Sequence, residues 1–264
     1  MNKTFTVRGF TLLELIVVIA IIGVLSVIII PTFRSALSKA NDTKLKQNVT
    51  NTLKKYTPLN KWEFEEGSGS VAKDTAINLI DNTLQNNANF SYGSPVYSPD
   101  TYSSSSQSSI YFNGSSYLQT VNSTYPKLDG QSFSFSIWFK RTGGWGDLDK
   151  FLFTKGYWGG NGVCRLFHAT FRYDSLYIGF ASADADTGVK VTDQNWHNLM
   201  MSFDVSTSKL VVYLDGTRLG SYTMPCSLSG TDPYPFLIGG WSEGPGYFIG
   251  NLDDVYYFKD IIVR

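Results

Sequence analysis

The stretch RGFTLLELIVVIAIIGVLSVIII, residues 8–30, decides how this chain is organised. From Phe10 to Ile30 the run is apolar, broken only by Thr11, Glu14, Gly23 and Ser26. At 1.5 Å of rise per residue a helix of this length spans the roughly 30 Å of a bilayer's hydrocarbon core. Lys3 and Arg8 precede the run and no acid does. The short leader is therefore expected to stay on the cytoplasmic side while everything after the span is exported. An ordinary secretory signal is cut behind its apolar run, at a small-residue site. Here the small residue, Gly9, stands in front of it. The reading is a removable leader, 1–9, with the helix left attached to the mature chain. Glu14 is the anomaly, because a lone carboxylate in a membrane helix is costly until it meets a cation.

Beyond the apolar run, Phe33, Leu37, Ala40, Leu45, Val49, Leu53 and Tyr56 recur at spacings of three to five, an amphipathic continuation. Pro31 interrupts the backbone ladder and is expected to kink the helix there, and Pro58 is its stop. Residues 10–58 thus read as one long transmembrane and stalk helix, from about Phe10 to Tyr56.

From Trp62 onward the pattern changes to short aromatic and β-branched runs separated by Gly, Asn, Asp and Ser. Strands are expected at 110–112, 132–140, 151–154, 163–171, 176–180, 196–203, 210–214, 236–238 and 247–258. Phe133, Phe135, Ile137 and Phe139 alternate with Ser134 and Ser136, the period-two pattern of a half-buried strand. Asp215-Gly216 is a tight hairpin turn. Many short strands with turns between them favour a sandwich or jelly roll, so the fold class is α+β: a helical stalk, then an all-β antiparallel sandwich over 59–264.

Aromatic residues make up 15% of the chain and the formal net charge is zero. That balance lacks the basic stripe a nucleic-acid binder needs to displace counterions. The two cysteines, Cys164 and Cys226, form no C-x-x-C pair. In an exported chain they are candidates for a disulfide, with two separate buried thiols as the alternative.

Arg8-Gly9-Phe10-Thr11-Leu12-Leu13-Glu14 closely resembles the class III signal of type IV prepilins and pseudopilins. The resemblance implies cleavage between Gly9 and Phe10 by prepilin peptidase and N-methylation of the new Phe10 amine. It implies pairing of Glu14 with such an amine, commonly a neighbouring subunit's, as the helix leaves the inner membrane for a filament. It also places Gly23 and Pro31 in the segment that unwinds locally in assembled pilins. The partners implied are copies of the chain itself, other pilins and the pilus assembly machinery, at the cell surface or in a periplasmic pseudopilus.

A second resemblance covers the head. Trp62-Glu63-Phe64-Glu65-Glu66-Gly67, Ile110-Tyr111-Phe112-Asn113-Gly114, Phe133-Ser134-Phe135-Ser136-Ile137-Trp138, Trp196-His197, Val212-Tyr213-Leu214-Asp215-Gly216 and 248–255 look like laminin-G-like jelly rolls of the concanavalin superfamily. Related jelly rolls often hold a structural calcium, for which Glu65, Asp74, Asn78 and Asp254 are the candidate ligands; solvated turn acids are the alternative. No cofactor is required. Enzymatic members of the superfamily often carry Glu-x-Asp-x-x-Glu, and this chain does not. There is no G-x-S-x-G elbow, and His168 and His197, the only histidines, read as structural. The expectation is a non-enzymatic protein. Trp145, Tyr157, Trp158, Trp241 and Tyr247 lie in glycine-rich segments and are the candidate glycan-stacking residues; the alternative is that these rings plug the ends of the sandwich. Two roles follow: a structural filament subunit, or a minor pilin acting as a lectin-like adhesin for surface glycans.

Overall fold

In a computed structural model, residues 11–76, 88–92, 95–121, 126–157, 166–180, 183–224, 228–229, 231 and 233–262 are described. The chain divides into two compact units, Met1–Gln47 and Asn48–Arg264. One helix, α1 (Leu12–Leu53), supplies the first unit and gives its last turns to the second. It runs without interruption through Pro31 and stops three residues short of Tyr56. There Lys55 and Tyr56 donate to the Thr52 and Leu53 carbonyls, the tightened turns that close a helix end. Among the described residues no helix is long and apolar enough to cross a membrane. The exposed apolar side chains described run from Leu12 to Val24, and those of 25–39 fall outside the description.

Among the described residues sixteen strands follow. In chain order they are β1 (Asn60–Trp62), β2 (Val71–Ala72), β3 (Ala88–Tyr92), β4 (Val96–Ser98), β5 (Ser109–Asn113), β6 (Tyr117–Thr120), β7 (Phe133–Arg141) and β8 (Lys150–Gly156). The second half comprises β9 (Leu166–Arg172), β10 (Ser175–Phe180), β11 (Ala183–Lys190), β12 (Trp196–Asp204), β13 (Lys209–Leu214), β14 (Thr217–Thr223), β15 (Phe236–Ile238) and β16 (Ile249–Phe258). They form two eight-stranded sheets. The first runs β14-β13-β12-β7-β16-β5-β4, with β1 taking the far half of β16 where β5 ends; the second runs β11-β10-β9-β8-β15-β6-β3-β2. The named ladders are all antiparallel, as expected for a jelly roll.

The core is aromatic and lies between the sheets. Phe135 of β7 sits 5.1–5.5 Å, centroid to centroid, from Phe153, Phe167, Phe236 and Tyr257. Truncating it to alanine would open a cavity costing about 3–5 kcal/mol. The serine face of β7 is not solvated, contrary to the half-buried pattern expected from its alternation. Ser134 bonds Ser202, the Asp260 carbonyl and the Ile262 N–H, and the Asn198 amide donates to Ser136 at 2.9 Å. A second apolar cluster covers that face: Val49 and Leu53 from α1 pack with Tyr102, Trp138, Met200, Tyr213, Phe258 and Ile262. The strand is buried on both sides, and its small hydroxyls let helix and chain end approach closely.

Candidate functional sites

The N-terminal site begins with a helix cap. Thr11 is the cap residue, and its N–H and hydroxyl donate to Glu14 Oε2 at 2.8 and 2.9 Å. The Glu14 N–H donates back to Thr11 Oγ1 at 3.3 Å. This is a capping box, T-x-x-E, in which two otherwise orphaned donors are satisfied reciprocally. Glu14 therefore has a local partner that the sequence reading, which looked only for a cation, overlooked. Both bonds fall on Oε2. Gly9 and Phe10 lie outside the described residues, so the expected cleavage and pairing partners are not seen. Gly23 is open: a methyl there would meet nothing within 4 Å.

The expected aromatic set does not form one surface. Arg141, fully buried at the end of β7, organises the loop that carries Trp145. Its guanidinium donates to the Gly143 and Gly144 carbonyls and pairs with Asp174 at 2.9 Å. It also stands 4.3 Å from the Trp145 ring. Burial lowers the Arg141 pKa, and Asp174 opposes that shift. Trp145 thus projects from a fixed base, 37% exposed. At the same end Trp241 packs on Phe151 at 5.5 Å, and Tyr247 stacks on Tyr117 at 6.1 Å. Gly240 is obligatory there, because a Cβ would come within 2.9 Å of both Tyr117 and Tyr247. Tyr157 follows the far end of the seven-residue β8 and pairs with Tyr234, so it is roughly 20 Å from the others at 3.3 Å per residue. Trp158, like Cys164 and Cys226, lies outside the described residues.

Of the expected calcium ligands, Glu65 and Asp254 come to one place. Asp74 spends its carboxylate on the Asn60 amide at 2.6 Å and on the Lys61 and Ala76 N–H groups at 2.9 and 3.1 Å, pinning the chain beside β1. Asn78 lies outside the described residues. Glu65 and Asp254 do line one cavity of about 440 Å³, together with Lys61, Glu63, Tyr102 and Tyr256. Among the described residues no group of three or more His, Cys, Asp or Glu side chains could hold a metal ion. Asp254 has a left-handed φ of 45° in the bulge where β16 shifts register against β7, and the bulge leaves two successive carboxyls between the core residues Leu252 and Val255. Tyr102 donates to Asp254 at 2.5 Å, and Ser106 donates to Asp253 at 3.0 Å. Burial pushes both carboxyls upward, and the charge of Asp254 adds to the effect on Asp253. Sequence reasoning had no signal for this pair beyond two adjacent aspartates in a strand.

His197 has both ring nitrogens occupied, by Asp215 at 2.6 Å and Asp193 at 2.9 Å. Burial disfavours its charge, but the two carboxylates outweigh burial and raise its pKa to about 9. A cationic ring clamped this way has no free nitrogen with which to take a proton from a serine.

Comparison with known proteins completes the description. Residues 112–262 match the model of the concanavalin A-like lectin/glucanases superfamily, and residues 5–30 match the prokaryotic N-terminal methylation motif. No curated protein matches the chain. Among solved structures, domain 4 of an extracellular arabinanase from Geobacillus stearothermophilus, in complex with arabinotriose, superposes with a TM-score of 0.52 at 19% identity, covering 78% of this chain and 94% of that one. The receptor binding domain of botulinum neurotoxin type G gives 0.55 at 7% identity over 78% of this chain but 49% of that one. Trypanosoma rangeli sialidase gives 0.53 at 12% identity over 77% of this chain and 30% of that one. The chain therefore spans about half of the toxin domain and less than a third of the sialidase, and likeness at these identities is one of fold. With an aromatic two-sheet sandwich matched over more than half its length, the chain belongs to the concanavalin A-like lectin/glucanases superfamily, joined to a prokaryotic N-terminal methylation motif.

Proposed function

We propose that this chain is a subunit of a type IV pilus or related filament that displays a non-enzymatic, lectin-like head. The observation that carries the reading is the continuity of the methylation motif, residues 5–30, with the 42-residue helix α1 capped by Thr11 and Glu14. In this reading prepilin peptidase cuts between Gly9 and Phe10, the Phe10 amine is methylated, and the apolar run holds the subunit in the inner membrane until assembly. The helix then polymerises with copies of itself and other pilins, and Glu14 Oε1 accepts the cationic amine of a neighbour. The head would face the cell exterior or the periplasm. Mass spectrometry of the mature chain, together with electron microscopy of surface filaments, tests this. The mature chain is expected to begin at a methylated Phe10, and a chain still beginning at Met1 or starting beyond Ile30 overturns it. A lectin-like adhesin on a minor subunit is the second reading, supported by the superfamily and by Trp145 held partly exposed on a rigid base. A glycan array probed with the full chain tests it.

A further inference from the structure

Two loops at one end of the sandwich gather apolar side chains that the fold leaves uncovered. Among the described residues of the head, seven large apolar side chains are exposed, and three of them, Trp145, Leu148 and Tyr173, come from these loops. Trp145 and Leu148 lie between β7 and β8, and Tyr173 lies in the two-residue turn between β9 and β10. The loops are joined through their backbones. The Tyr173 N–H donates to the Asp147 carbonyl at 2.9 Å, and the Gly146 N–H donates to Asp174 Oδ1 at 2.9 Å. The buried Arg141 faces the Trp145 ring at 4.3 Å and pairs with Asp174 at 2.9 Å, so one cation braces both loops.

Tyr173 is an unfavourable residue for its place. Tyr173 and Asp174 have φ of 49° and 71°, the left-handed pair that a two-residue hairpin turn needs and that Asn-Gly adopts readily. A bulky side chain is rare there, and backbone strain of this kind persists where the side chain serves a purpose. The core is not that purpose: Tyr173 is 58% exposed, and Leu148 61%. The tip also stands clear of the place where the chain enters the head. Asn60 pairs with Tyr257, and Tyr257 with Phe135 of β7. Arg141 is six residues farther along that strand, roughly 20 Å at 3.3 Å per residue.

We infer that this tip docks on a lipid bilayer, seating Trp145, Leu148 and Tyr173 among the headgroups of a neutral, zwitterionic membrane. The area favours a bilayer over a protein. Three partly exposed side chains offer on the order of 300 Å², whereas a stable protein interface takes roughly 800 Å² from each partner. The residue types agree, since Trp and Tyr rings collect at the headgroup level and a leucine reaches the acyl boundary. The charges select the lipid. Residues 141–150 and 172–174 hold three cations and three carboxylates, paired as Lys150 with Asp147 at 3.3 Å, Arg172 with Asp149 at 2.9 Å and Arg141 with Asp174. That balance gives the tip no basic excess to draw it to an anionic surface. Both loops are already fixed, so docking has little ordering to impose. The inference stands apart from the glycan-binding reading, in which Trp145 would stack on a sugar instead.

The test mixes the full chain, its apolar run held in a nanodisc, with vesicles of phosphatidylcholine, with or without phosphatidylserine, and measures co-flotation. The wild type is expected to float with both kinds of vesicle equally, at high salt as at low. Trp145→Ser, Leu148→Ser and Tyr173→Asn are each expected to weaken the partitioning by about tenfold. Tyr173→Asn also guards against a merely structural explanation. Asn accepts a left-handed φ, so the thermal midpoint of this variant is expected to equal or exceed that of the wild type. Ile261→Ser is the control: Ile261 is exposed, and its neighbour Ile262 bonds Ser134 at the opposite end of β7. It should float as the wild type does. No flotation of the wild type overturns the inference and leaves the patch to a protein partner; wild-type flotation in all three variants overturns it too. Flotation that needs phosphatidylserine and disappears with salt overturns the assignment of a neutral lipid. An equal loss in Ile261→Ser overturns the tip as the point of contact. A glycan-array signal that Trp145→Ser removes while vesicle binding survives gives the tip to a saccharide instead.

Discussion

At the scale of single residues, the head holds two ionisable arrangements whose pH dependence can be worked out. His197 is raised to about 9 between Asp215 and Asp193, against about 6.5 in an unfolded chain. Its cationic form is favoured by folding, so its contribution is fully present below pH 6.5 and disappears as pH rises through 9. The amount is on the order of 3–4 kcal/mol, from about 1.4 kcal/mol per pKa unit. Denaturation midpoints of the wild type are expected to fall over that window, and those of His197→Gln to stay level. Asp253 behaves differently because burial penalises its charge. Below the ordinary carboxylate range both folded and unfolded chains hold the proton and nothing is lost. Above it the unfolded chain ionises freely and the folded one is penalised. Asp253→Asn keeps an acceptor for the Asp254 N–H and a donor for Ser106, so it is expected to stabilise the head by about 1 kcal/mol at pH 7 and by nothing at pH 3. Chemical denaturation at the two pH values measures this. A loss of stability at pH 7 would show that the charge has a counter-ion.

At the scale of elements, the capping box separates two explanations of Glu14. Glutamine can also occupy the third position of a capping box, so Glu14→Gln preserves the cap but not the charge. Thr11→Ala removes the cap, at about 1 kcal/mol of helix stability, and preserves the charge. If neutralisation by a subunit amine drives assembly, Glu14→Gln is expected to abolish incorporation beside wild-type subunits and Thr11→Ala to reduce it only modestly. Filament yield by electron microscopy reads both. Much at this scale was legible in the sequence. β7, β12 and β13 follow from alternating aromatic and aliphatic residues whose inner face had to be buried. The capping box was equally visible in Thr11-Leu12-Leu13-Glu14, but it was read only as a charge problem. β11, ADADTGVK, gave no strand signal because two aspartates and a glycine dominate it. It forms because it is an edge strand whose acids find partners in Arg172 and Ser175, and only the fold supplies those. The scattering of Trp145 and Tyr157 was hidden for a similar reason. Nearness in sequence says nothing when a whole strand, β8, runs between them.

At the scale of the molecule, the sandwich uses its two outer faces differently, and that difference can be tested. The outer face of the first sheet is sealed: Val49 and Leu53 from the last turns of α1 cover Trp138 and Tyr213, and Tyr102 lies on Trp138 with ring centroids 4.3 Å apart. Tyr102 also donates to Asp254, so the sealed face is tied to the bulge in β16. The outer face of the second sheet, by contrast, carries ion pairs: Asp184 faces His168 at 3.8 Å and Arg172 at 3.1 Å, and Arg172 also pairs with Asp149 at 2.9 Å. A face sealed with hydrocarbon contributes stability in proportion to the area buried, whereas solvent-accessible ion pairs contribute little. Leu53→Ala in the full chain should therefore cost about 2–5 kcal/mol, the range for a buried leucine, and lower the thermal midpoint of the head. Urea denaturation of the full chain measures the loss, and a midpoint equal to that of the wild type would show that the end of α1 does not seal this sheet.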